Sequence, residues 1–207
     1  DLSCNGLLGT GYLDYLASRS YSKMFTFHPD SAFCTTDKFN CFAKGAMGNS
    51  AAFAKAEAGT TSEIWYPKSD YMIVKQKAEP FNMYDGKAFH SGTLTVSPKG
   101  LFGNGSTKSE EMIVNSLNTK FVPDEYTSDT AGFVLNALDG NSIAFKADNV
   151  KAKVSFTTRT GEFTSNDGVS KTELPFLQYE CFVDKFEWNM DSKLLALLDT
   201  QSPKVGD

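Results

Sequence analysis

Alternation with a period of two constrains this chain more than any other feature. In Val150-Lys151-Ala152-Lys153-Val154-Ser155-Phe156-Thr157, Val150, Ala152, Val154 and Phe156 share one face and the lysines and Ser155 share the other. That is the pattern of a half-buried strand, whose successive side chains point to opposite sides of a sheet. Phe133, Leu135 and Ala137 alternate in the same way, and Ile143, Phe145 and Ala147 repeat the pattern beyond Asp139-Gly140, a pair favoured in tight hairpin turns. Asp167-Gly168 and Ser97-Pro98-Lys99-Gly100 are further turn signals. Leu177, Tyr179, Cys181 and Val183 continue the alternation. With Phe182, Phe186 and Trp188 loading the other face, this strand reads as buried on both sides. Residues 87–188 are therefore expected to be mostly β.

The first half carries weaker signals. Lys23-Met24-Phe25-Thr26-Phe27 reads as a strand, while the alanines of 50–58 predict a short helix. A second short helix is expected over 191–198, with Asp191 as its N-cap. Seventeen Phe and eight Tyr add a bias toward strands. No break in composition divides the chain, so residues 1–207 are read as a single β-rich domain. The expected fold is mainly β: an elongated solenoid or meander of short strands with one or two short helices, with a compact β-sandwich as the alternative.

Charge and hydropathy restrict the partners. Twenty Lys and Arg against 25 Asp and Glu give a net charge of −5, and only Arg19 and Arg159 are arginines. Arginine's planar fork is the usual reader of phosphates and base edges, so nucleic acid is not an expected partner. The longest apolar run, Leu194–Leu198, is far short of the ~20 residues a membrane-spanning helix needs. The chain opens on Asp1 with no charged-then-apolar leader, which reads as a processed protein or a piece of a longer one.

Chemistry is sparse. Four cysteines (Cys4, Cys34, Cys41, Cys181) and two histidines (His28, His90) contain no CxxC pair, so no metal site or cofactor is implied. Cys34 and Cys41 are the candidate disulfide, and free thiols packed as small hydrophobes are the alternative. His28-Pro29-Asp30-Ser31 puts His, Asp and Ser side by side, but a triad must converge from separated segments, and the run reads as a turn. Gly9-Thr10-Gly11 and Gly103-Asn104-Gly105 complete no phosphate-binding pattern. Trp65, Tyr66 and Tyr71 are the candidate binding residues, an aromatic platform able to stack on a sugar ring. The competing assignment places them in the core of strands.

The run Trp65-Tyr66-Pro67-Lys68-Ser69-Asp70-Tyr71-Met72, followed by Pro80-Phe81-Asn82-Met83-Tyr84-Asp85-Gly86-Lys87-Ala88 and then by Ser91 to Gly105, resembles segments of very large cell-envelope and extracytoplasmic β-repeat proteins of the Bacteroidota type. Phe145–Val150, Gly161–Asn166, Leu174–Tyr179 and Asp184–Trp188 carry the resemblance on, over about two thirds of the chain. It implies an exported segment of a longer chain, with no catalytic residues to carry over. The expected function is a non-enzymatic structural, adhesive or interaction module whose partners are other segments of the parent chain or envelope proteins. A glycan-binding module is the second reading and a glycan-active hydrolase the third.

Overall fold

The computed structural model describes residues 6–138, 142–168 and 170–198. Cys4, the Asp139-Gly140 turn and the tail from 199 onward lie outside them. The described residues form one antiparallel sheet of eighteen strands, with no helix longer than a single three-residue turn.

The chain begins with a hairpin of β1 (Leu7–Tyr15) and β2 (Ser18–Phe27). The sheet then forks. β3 (Ala32–Thr36) pairs with one half of β2 and β4 (Lys38–Cys41) with the other. β6 (Thr61–Tyr66) and β7 (Tyr71–Gln76) extend the first branch. β5 (Ala56–Ala58) and β8 (Phe81–Met83) extend the second. β9 (Ala88–Ser97) takes β8 on one half and β7 on the other. The two branches thus close a hydrogen-bonded circuit of strands, and the core lies where their apolar faces meet. Phe39 meets Phe81 edge-on at 6.0 Å there, and both are fully buried.

The second half follows a related pairing scheme whose first four strands are longer and whose fork comes later. β10 (Gly100–Ser109), β11 (Met112–Val122), β12 (Glu125–Asn136) and β13 (Ile143–Ser155) form a meander. β13 then forks to β14 (Thr160–Ser165) and β15 (Ser170–Leu174). These continue to β17 (Lys185–Asn189) and β16 (Tyr179–Val183), and β18 (Leu194–Leu198) pairs with β17. The correspondence extends to details. β1 and β2 slip register between Gly9 and Gly11, and β10 and β11 slip between Gly103 and Gly105. In both places a serine hydroxyl caps the slip: the Met24 amide donates to Ser22 Oγ and the Asn118 amide to Ser116 Oγ, each at 3.1 Å.

The strand expectations in the second half hold. Val150, Ala152 and Val154 are fully buried between exposed Lys151 and Lys153, and Phe133 meets Phe145, Phe163 and Phe186 in an aromatic cluster. The expected helices do not form. Residues 50–58 run extended from the bridge Lys44↔Phe53 into β5, because alanine's small side chain lets Ala54 and Ala56 press into the core with no exposed surface. That tertiary gain overrides helix propensity. Residues 191–198 form a turn and β18, whose backbone groups are taken up by β17. The strand expected through Leu177–Val183 is not buried on both sides: Leu177 lies in a 3₁₀ turn (Pro175–Leu177), and Tyr179 and Phe182 are exposed on β16.

Candidate functional site

The aromatic residues singled out in the sequence are divided by the pleat. Trp65 and Tyr66 are neighbours on β6 and so face opposite sides. Tyr66 stands opposite Tyr71 in the β6–β7 register, with ring centroids 4.9 Å apart and both residues partly exposed. Trp65 turns inward against Tyr15 at 5.8 Å and packs on the core, where its indole Nε1 has no hydrogen-bond partner among the described residues. All three aromatics are partly exposed, but only the two tyrosines share a face, and Trp65 lies on the core side of the strand.

Cys34 and Cys41 are free thiols, and the expected disulfide is absent. Cys34 stands opposite Phe25 and Cys41 opposite Ser18, seven positions apart along the same strand, β2. At about 3.3 Å per residue that separates them by roughly 20 Å, whereas a disulfide needs Cα atoms within about 7 Å. Burial pushes both thiols up to about 12, which keeps them out of the nucleophilic thiolate form. His28 stacks on Phe33 at 5.3 Å, and its backbone amide closes the expected turn onto the Ser31 carbonyl.

Two buried titratable groups carried no local signal. Glu63 on β6 is 1% exposed; Ser20 Oγ and Thr61 Oγ1 donate to its Oε1 at 2.7 and 3.2 Å. Burial pushes its carboxyl up to about 7 against the pull of those hydroxyls. His90 on β9 is fully enclosed, with Nδ1 3.0 Å from Thr107 Oγ1, and burial pushes it down to about 4. Both groups are enclosed among strands, and their hydrogen bonds join β6 to β2 and β9 to β10. On the surface, Arg159 pairs with Glu110 at 2.8 Å and Asp191 at 2.5 Å, while Lys193 pairs with Glu110 and Glu111. Burial draws the Glu110 carboxyl upward, and Lys193 and Arg159 outweigh it, holding it below the usual carboxylate range. This network ties together the turns β10–β11, β13–β14 and β17–β18.

The most distinctive concave surface lies beside that network. A groove of about 590 Å³ opens between Leu135, Phe145, Phe176, Trp188, Leu195 and Leu197. Its lining is apolar apart from Asn136 and Lys193. Phe176, in the 3₁₀ turn, is 73% exposed at its rim. β18 forms one wall and pairs with β17 alone among the described strands. A bare strand edge beside an apolar groove suits the docking of another polypeptide strand. Periodicity had marked Leu194–Leu198 as apolar, but only the sheet reveals that they form an edge among the described strands.

Compared with known proteins, the chain matches no family model, no curated protein and no solved structure.

Proposed function

We propose that this chain is a non-enzymatic structural segment of a larger β-repeat protein of the bacterial cell envelope, and that it works by holding neighbouring segments in line. The reading rests on one observation, the matching registers of the two halves. Leu7 faces Phe27 and Leu101 faces Phe121. Phe27 faces Ala32 and Phe121 faces Tyr126. Met72 faces Val96 and Gly161 faces Trp188. Such repetition suits an array in which each unit buries its apolar faces against the next. The extracytoplasmic setting follows from the resemblance of the sequence to envelope proteins.

Solution scattering tests the reading. A compact chain of this length has a radius of gyration of about 17 Å. A repeat array stacks its two units lengthwise and exceeds that value, with a long tail in the pair-distance distribution, whereas a value matching the compact chain would overturn the array. A glycan-binding module is the second reading, favoured by the partly exposed Tyr66–Tyr71 pair. Binding on a glycan panel that Tyr66→Ala abolishes would replace the first reading with it.

A further inference from the structure

We infer that the free edge of β18 and its groove form a docking site for a β11-type strand from a different unit of the same fold, one carrying a small residue where this chain has Phe27 and Phe121. The inference rests on the repeat reading above. Register assigns the equivalence. Leu101 faces Val96 on β9, and Leu195 faces Trp188 on β17; Val96 and Trp188 in turn hold the same place opposite Met72 and Gly161. β18 therefore stands where β10 stands. The other edge of β10 is covered by β11, with Leu101 facing Phe121, but the same edge of β18 has no partner among the described strands.

Burial shows what the missing strand would cover. Leu101 is fully buried, while its counterpart Leu195 is only partly so. Met83 is fully buried, and its counterpart Leu174 is partly exposed. The 3₁₀ turn Tyr84–Gly86 is sealed: Tyr84 packs on Phe156 at 4.5 Å and donates its hydroxyl to the Glu125 carbonyl at 2.8 Å. The equivalent turn, Pro175–Leu177, exposes Phe176 and Leu177. The junction buried between the two halves thus recurs, open, at the end of the second.

One substitution sets the partner's chemistry. In both internal hairpins an aromatic ring lies over a glycine. A Cβ on Gly9 would meet the Phe27 ring at 3.3 Å, and one on Gly103 would meet the Phe121 ring at 2.5 Å. On β18 the corresponding residue is Leu197. Its side chain occupies the space the ring would need, so a strand with Phe at that place is excluded. A second copy of this chain, whose β2 and β11 both carry that Phe, is excluded with it.

The test is a size exchange. Two hairpin peptides of residues 112–136, one native and one carrying Phe121→Ala, are titrated into the whole chain and into its Leu197→Gly variant, following Trp fluorescence and amide exchange in 194–198. Native chain should bind the Phe121→Ala peptide at least tenfold more tightly than the native peptide, and Leu197→Gly should reverse that order. Both should protect the β18 amides. No binding by any pair, or affinities independent of the exchange, would overturn the inference, as would self-association of the native chain through β18 in light scattering. If scattering still gives an extended chain while every peptide fails, the docking site falls and the array stands.

Discussion

Replacing Glu63 with Gln should expose a pH dependence that the native protein conceals. Folded Glu63 holds its proton up to about 7, whereas the unfolded chain releases it near 4.5. The folded state binds the extra proton between those values, so this contribution to stability is complete below 4.5 and is lost as pH rises toward 7. His90 acts in the opposite sense. Folded His90 refuses a proton until about 4, while the unfolded chain takes one near 6.5. Its contribution is complete above 6.5 and is lost as pH falls toward 4. At about 1.36 kcal/mol per tenfold change in proton affinity, each group is worth about 3 kcal/mol across its window. Between about 4.5 and 6.5 the two slopes oppose each other and nearly cancel. Urea unfolding followed by Trp fluorescence from about pH 4 to 8 measures the outcome. The stability of Glu63→Gln minus that of the native chain should rise by about 3 kcal/mol between pH 4.5 and 7. For His90→Gln the same difference should fall by about 3 kcal/mol between pH 4 and 6.5. Differences that do not vary with pH in either variant would refute the assignment of these protonation states. The side-chain amide introduced by Glu63→Gln can still accept from Ser20, so the constant cost of the substitution does not distort the slope.

Further substitutions test the frame around these groups. Gly105→Ala should cost about 3 kcal/mol or more by thermal unfolding, at the upper end of backbone strain, because Gly105 has φ +141° and an added Cβ would meet the backbone of Ser91 and Gly92. Phe133→Ala should cost about 3–5 kcal/mol, since its ring centroid lies 4.2 Å from Phe163 and 5.1 Å from Phe186 with no exposed surface. Denaturing alkylation without reductant, read by peptide mass, should label both Cys34 and Cys41; protection of the two together would show a disulfide that the strand spacing forbids. Arg159→Ala should leave thermal stability nearly unchanged, with any loss vanishing in high salt, as for other exposed ion pairs.

The alternating strands were legible in the residues alone. Val150, Ala152 and Val154 had to share a face, and burial follows from that periodicity wherever one side of a strand meets a core. Local pattern could not decide the alanines of 50–58 or the leucines of 194–198. Alanine suits a helix or a tight core, and leucine suits a helix or a strand edge, so in each case the neighbouring strands chose. The cysteines failed for a related reason. Seven residues can form a small loop or span roughly 20 Å, and only the pairing of β3 and β4 along β2 selects between them. Glu63 and His90 look like ordinary polar positions of a strand, and their protonation depends on groups contributed by β2 and β10. The β18 edge is the furthest from local reading. Its openness, and the meaning of Leu197 where β10 has a glycine, exist only once each strand has a place beside its neighbours, because an edge is defined by what pairs with it.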